Sequence, residues 1–242
     1  MGVYFPTGKL ETGGTCEFAT TKCLEHCIAN KMQAASQITA RDLAYLGVES
    51  PIPICKDYPS RVKQERALAW FKDNDVHTIV VALLHSMQQT DEYILHWFAS
   101  GDCPDYMLDK IVSIIAAINQ AGYIQIVFSR NQRLVSILRR MDDNELLRVV
   151  YTTDNKTGAS GLIAWPDYDR YNVQLLFGET NLGACSPSTF SQWEVKRESN
   201  CMLCAVRRQG CFEGYKTFWV SKEHFYKLYQ WMENKRKEVS KD

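Results

Sequence analysis

Cys16, Cys23 and Cys27 stand within a dozen residues of one another, in Thr15-Cys16-Glu17-Phe18-Ala19-Thr20-Thr21-Lys22-Cys23-Leu24-Glu25-His26-Cys27. Three thiolates at that spacing can converge on one metal centre without help from distant chain. They satisfy three irons of a 4Fe–4S cube and leave the fourth iron open to an external ligand. A structural zinc would need a fourth protein ligand, and His26 is the local candidate, although its adjacency to Cys27 strains joint ligation of one ion. A second group is Cys185 with Cys201, Cys204 and Cys211, the last three spaced C-x2-C-x6-C. Four thiolates close a coordination shell, which suits either tetrahedral zinc or a saturated 4Fe–4S cluster, and the spacing does not separate the two. A closed shell leaves no position for substrate, so this centre is expected to be structural or electron-transferring. Cys55 and Cys103 stand alone and read as small buried hydrophobes. Cys103 directly follows Asp102.

Composition supports metal over disulfides. Nine cysteines is an odd count and they are clustered, and Met1-Gly2-Val3-Tyr4-Phe5-Pro6 lacks the basic flank and apolar run of a secretory signal. Reduced thiols in a cytoplasmic setting are therefore expected. The chain has 28 basic and 28 acidic residues, a formal net charge of zero, which argues against a binder held to nucleic acid mainly by phosphate charge. No run of about 18 uncharged apolar residues marks a membrane span. At 45% hydrophobic and 23% charged, the 242 residues can bury a core of ordinary size.

The elements that must position these groups follow from periodicity. Residues 6–31 are rich in Gly, Thr and Cys and read as a loop that wraps something. Ser60 is placed to cap a helix over Arg61 to Asp73, with apolar Val62, Ala67, Leu68, Trp70 and Phe71. Residues 76–88 are apolar nearly throughout and fit a buried strand or a buried helix equally. Tyr93 to Ala99 reads as a strand ending at Ser100-Gly101-Asp102. A helix from Asp105 to Ala121 follows, with Met107, Leu108, Ile111, Ile114, Ile115 and Ile118 on one face and Gly122 closing it. Strands over Ile124 to Phe128 and Leu146 to Tyr151 flank a helix over Gln132 to Met141. Further strands fall at Val173 to Phe177 and Lys216 to Val220, with a last helix from Ser221.

Strand, helix, strand, helix, strand in sequence means parallel strands joined by crossovers. The expected fold is α/β: a parallel (β/α) sheet forming a partial or complete TIM-like barrel, or else an open parallel sheet, with a cysteine-rich C-terminal metal-binding segment. Residues 1–180 would form the core with its N-terminal cysteine loop. Residues 181–242 would carry the four-cysteine segment, the last strand and the last helix. Function in such sheets collects at the C-terminal strand ends, where Asp102, Arg130 and Asp154 are expected. The structural alternatives are an Asp102 that caps the helix starting near Asp105 and an Arg130 that is a solvated helix opener. His85 and His96 lie in apolar segments and read as hydrogen-bonded core or surface histidines, and Trp70, Phe71, Trp97, Phe98 and Trp219 as core.

The cysteine loop, the strand ending in Trp97-Phe98-Ala99-Ser100-Gly101-Asp102, the strand Ile126-Val127-Phe128-Ser129-Arg130 and the terminal Cys-x2-Cys-x6-Cys together resemble the phage gene-product-88-like iron–sulfur proteins. That group is in turn distantly similar to the radical S-adenosylmethionine enzymes. The resemblance implies a 4Fe–4S cluster on Cys16, Cys23 and Cys27 whose open iron binds S-adenosylmethionine. It also implies an acidic ligand for the cofactor's amino group at Asp102, within Ser100-Gly101-Asp102, and an anion partner at Arg130. The loop departs from the C-x3-C-x2-C of typical radical enzymes, being C-x6-C-x3-C with His26 where an aromatic usually precedes the last cysteine. Three readings therefore stand: a radical enzyme with an auxiliary four-cysteine centre and an electron-donor protein as partner; a non-radical iron–sulfur protein for redox, sulfide carriage or sensing, with a different small ligand or none at the open iron; and a zinc-stapled binding module.

Overall fold

The computed structural model describes residues 1–25, 27, 29, 59–141, 146–153, 172–176, 205–206 and 217–220. Six strands form one parallel sheet in strictly sequential order: β1 (Gly2–Tyr4), β2 (Ile94–Ser100), β3 (Ile124–Ser129), β4 (Leu147–Thr153), β5 (Asn172–Leu176) and β6 (Thr217–Val220). The helices are α1 (Thr21–Glu25), α2 (Arg61–Asp73), α3 (Val76–Gln89), α4 (Leu108–Gln120) and α5 (Gln132–Met141). The register runs Ile94 to Ile124 across β2 and β3, and Ile126 to Arg148 across β3 and β4. Crossovers between parallel strands are right-handed almost without exception, so a sequential order carries successive helices to the same face. The packing agrees. Leu95, Trp97, Val127, Val149 and Tyr151 form one core with Leu68 and Phe71 of α2, Ile79 and Met87 of α3, Ile111, Ile114, Ile115 and Ile118 of α4, and Leu134, Val135 and Leu138 of α5. Each fully buried isoleucine of α4 contributes about 1.5–3 kcal/mol.

Local chemistry fixes the helix ends. Asp75 caps α3 by accepting the Thr78 N–H at 2.7 Å, and this cap with a 14-residue length settles residues 76–89 as helix. Ser60 caps α2 through the Lys63 N–H at 3.4 Å. The last carbonyls of α2 and the turn after it point at Lys110 of α4, whose Nζ donates to Phe71 O at 3.1 Å, Lys72 O at 2.8 Å and Asn74 O at 2.9 Å. A cation there also complements the helix dipole. Between sheet and helix, Trp97 Nε1 donates to Gln125 Oε1 at 2.9 Å, and Gln125 Nε2 passes the chain on to Ile115 O at 2.9 Å.

On the opposite face of the sheet lies Ala205. Ala205 is fully buried against Ile94, Ile126 and Val150, and its carbonyl accepts the buried Arg148 Nε–H at 2.7 Å. β6 pairs with β5, so the sheet runs through the boundary read at residue 180. The final helix read from Ser221 lies outside the described residues, as does Asp154. Phe71, Trp97 and Phe98 are core as read, while Trp70 is 37% exposed. No helix among the described residues is long and apolar enough to cross a membrane.

Candidate metal centre

β1 is only three residues long, and it delivers the chain to the C-terminal edge of the sheet, where the cysteine loop begins. The loop closes on itself by backbone bonds: Thr15 N–H to Pro6 O at 2.9 Å, Cys16 N–H to Gly8 O at 2.8 Å, and Gly14 N–H to Lys9 O at 2.9 Å. Gly14 allows this closure, because a Cβ there would lie 2.1 Å from Gly8 O. Arg61 at the start of α2 grips the loop from outside, donating to Thr7 O and, at 3.2 Å, to Thr12 O. Beyond Cys16 the chain enters α1, where Thr20 Oγ1 accepts the Cys23 N–H at 3.1 Å, and the Cys27 N–H reaches Leu24 O at 3.4 Å.

Cys16 lies within reach of the charges of the other two cysteines. Burial pushes the Cys16 thiol far up, and the negative charge of Asp102 and then Cys27 and Cys23 push it further, while the Gly8 N–H directed at it pulls the other way. A half-buried thiol ringed by anionic groups favours its proton until a cation arrives, and metal coordination reverses that balance outright. An iron–sulfur cube would ask for three thiolates on three different irons, the donor types that Cys16, Cys23 and Cys27 carry. No three His, Cys, Asp or Glu side chains among the described residues are grouped so as to hold a metal ion directly. Cys185, Cys201, Cys204 and Cys211 lie outside the described residues, as do Cys55 and His26.

Behind the cysteine loop lies a polar junction centred on Asp102, which is 4% exposed. β2 reaches it through an irregularity. Gly2 pairs with His96 but Tyr4 with Ser100, so β2 spends four residues where β1 spends two, and Phe98 sits at φ 53° within the bulge. A bulky side chain at positive φ is strained by about 1–3 kcal/mol, and bulges recur beside functional sites, where they re-aim the chain. Ser100 Oγ then donates to Phe5 O at 2.8 Å. Gly101 turns at φ 75° with no room for a Cβ, which would lie 2.5 Å from Thr15 Oγ1. The Asp102 N–H donates to Thr15 Oγ1 at 3.1 Å. Its carboxylate collects the Ser129 hydroxyl at 2.6 Å and the Cys103 N–H at 2.8 Å on Oδ1, and the Arg130 N–H at 2.9 Å on Oδ2. These bonds tie the ends of β2 and β3 together. Among the described residues they fill three of the roughly four acceptor positions of a carboxylate.

Burial raises the Asp102 pKa to about 6, against the pull of Ser129, the two backbone N–H groups and the Arg130 charge. Arg130 is buried at 7% exposure and does not open α5 as a solvated residue. That place belongs to Asn131, whose Oδ1 accepts the Leu134 N–H at 3.1 Å while Nδ2 donates to Cys103 O and Asp105 Oδ1, each at 3.0 Å. Nor does Asp102 cap the helix beginning at Asp105, because the Asp105 N–H is taken at 2.8 Å by Glu17 Oε2 from the cysteine loop. Cys103 is fully buried, as read for a lone cysteine. Thr15, Glu17, Arg61, Ser129 and Asn131 are thus residues of the junction to which the sequence reading gave no role. Asn131 alone carried a signal, a cap-type residue one place before a helical run.

His96 lies on the sheet face opposite the helices, 5.8 Å centroid to centroid from Phe128. Burial, then the charge of the Met1 amino group, lowers its pKa from 6.5 to about 4. Between those values the unfolded chain binds the proton and the folded chain does not, so this histidine's contribution to stability is lost as pH falls through that window. Asp102, raised to about 6, titrates there with the opposite sign, its penalty growing as pH rises. The His96 effect is therefore read by difference: from pH 7 to pH 5, urea unfolding should show wild type losing about 1–2 kcal/mol relative to His96→Gln. Parallel pH profiles would exclude a buried neutral imidazole.

No protein-family model, curated protein or solved structure matches the chain.

Proposed function

We propose that the chain is an iron–sulfur protein in which Cys16, Cys23 and Cys27 hold a 4Fe–4S cluster with one open iron, on the C-terminal rim of a parallel (β/α) partial barrel. The reading keeps the resemblance to phage gene-product-88-like proteins and, more distantly, to radical S-adenosylmethionine enzymes. One observation carries it: the three-cysteine loop leaves the end of β1 directly beside the Ser100-Gly101-Asp102 turn at the end of β2, and Cys16 feels the Asp102 charge. The strictly sequential strand order supports the barrel part of the proposal, since a sheet with helices on one face curls toward its other face.

When bound, such a cluster supplies a coordination position and an electron, and the protein's part is to bind, orient and shield. Asp102 offers a carboxylate acceptor to an ammonium group, and Arg130 brings a buried positive charge to the same rim for a carboxylate or phosphate. A small zwitterion such as S-adenosylmethionine matches both. The four C-terminal cysteines would hold an auxiliary centre, a second 4Fe–4S cluster or zinc, in the segment anchored through Ala205. The C-x6-C-x3-C spacing favours a second reading in which the cluster serves redox, sulfide carriage or sensing.

Anaerobic incubation of the iron-loaded protein with dithionite and S-adenosylmethionine separates the two. The radical reading expects 5′-deoxyadenosine by liquid chromatography, abolished in a Cys16→Ala, Cys23→Ala, Cys27→Ala variant. A fully loaded, reducible cluster that yields none would leave the non-radical reading.

A further inference from the structure

Cys16 is bracketed by two side chains that reach the same short turn. Thr15, fully buried, uses one hydroxyl twice: it donates to Pro6 O at 3.1 Å and accepts the Asp102 N–H at 3.1 Å. Glu17, on the other side, accepts the Asp105 N–H at 2.8 Å through Oε2, and its own carbonyl accepts Lys9 Nζ at 2.9 Å. The peptide between them is held too, by Cys16 N–H to Gly8 O at 2.8 Å and Ala19 N–H to Cys16 O at 3.1 Å. Further along the loop, the Cys23 N–H donates to Thr20 Oγ1 and the Cys27 N–H to Leu24 O.

We infer that Thr15 and Glu17 are positioning residues that lock Cys16 to the 102–105 turn, so that the place of this thiolate is set from the end of β2. The inference rests on the cluster reading. Its physical basis is that a ligand's orientation is fixed by the groups that hold its backbone. Groups behind a metal ligand commonly weigh about 10–100-fold in metal retention when removed. The threonine hydroxyl cannot be replaced by a methyl group, because the Asp102 N–H would lose its partner in a buried place, while the Pro6 carbonyl would keep only the Thr15 N–H. Glu17 gives a carboxylate acceptor to a half-buried helix start, where glutamine keeps an acceptor and methionine keeps only the shape.

The test compares full-length wild type, Thr15→Val, Thr15→Ser, Glu17→Met and Glu17→Gln, each loaded with iron and sulfide under anaerobic conditions. Two quantities are read: the half-life of cluster absorbance under an iron chelator, and the electron paramagnetic resonance spectrum of the reduced cluster. Thr15→Val and Glu17→Met should shorten the half-life about tenfold and alter the spectrum, with Thr15→Ser and Glu17→Gln restoring both to near wild type. If Thr15→Val does not fold, the Glu17 pair decides, since Glu17 is only half-buried. Wild-type half-life and spectrum in both disruptive variants would overturn the inference and leave the cluster reading intact. A wild type that takes up no cluster at all would overturn the reading beneath it.

Discussion

Asp102→Ala is expected to lower the unfolding free energy by about 3–5 kcal/mol, and Asp102→Asn by about 1–3 kcal/mol, in urea titrations at neutral pH. The ordering follows from what the carboxylate holds. Alanine strands the Cys103 and Arg130 N–H groups in a buried place and removes the charge opposite the Arg130 guanidinium. Asparagine keeps the shape, but only one of its two terminal atoms can accept. With its oxygen facing Cys103 N–H and Ser129 Oγ–H, its amide nitrogen meets the Arg130 N–H, donor against donor. Turned the other way, it fails the two donors on the first side. Burial partly offsets the loss, because an ionised Asp102 is itself costly above its raised pKa of about 6, a cost the neutral amide escapes. Near-neutral values for both variants would mean that the junction between β2 and β3 is not built on this carboxylate.

The second large effect belongs to the glycines that let the loop and the turn approach each other. Gly101→Ala combines positive-φ strain of about 1–2 kcal/mol with overpacking of about 1–3 kcal/mol. The added methyl would meet Thr15 Oγ1 at 2.5 Å, Phe5 Cβ at 2.8 Å and Phe5 O at 2.9 Å, and two of these three atoms cannot swing away as a flexible side-chain end could. Gly14→Ala is the harsher steric change, with Gly8 O at 2.1 Å and Gly8 C at 2.3 Å. Both neighbours are backbone, so the loop must open and carry Cys16 away from Gly8. Gly122→Ala is the control: it shares the positive φ, at 87°, but nothing lies within 4 Å, and about 1 kcal/mol is expected. Thermal unfolding and iron content measured on the three variants should rank both damaging substitutions well below the control. Equal behaviour would show that crowding at the rim has no energetic weight.

Much of the scaffold is legible from pattern alone, for physical reasons that also mark where legibility ends. α4 announces itself because isoleucines at 111, 114, 115 and 118 repeat the helical period, and α5 begins within a residue of its cap. α3 stays ambiguous in sequence because an apolar run has no period, and it is Asp75 and sheer length that decide. β1 cannot be read, since three residues give no alternation and its pairing partner lies more than ninety positions away. The bulge at Phe98 is hidden likewise, because nothing about phenylalanine signals a positive φ. In the site, Cys16, Cys23, Cys27 and Asp102 stand out by type and spacing. Thr15, Glu17 and Ser129 do not: ordinary polar residues acquire a role only when the fold brings β1, β2 and β3 to one edge.

The most direct measurement is iron and acid-labile sulfide analysis, with a visible spectrum, on anaerobically purified wild type beside the Cys16→Ala, Cys23→Ala, Cys27→Ala variant. The account predicts a broad band near about 400 nm in wild type, and a loss of about four irons and four sulfides per chain in the variant, whatever the C-terminal cysteines hold. A colourless wild type carrying zinc without sulfide, or equal iron in the two proteins, would contradict it.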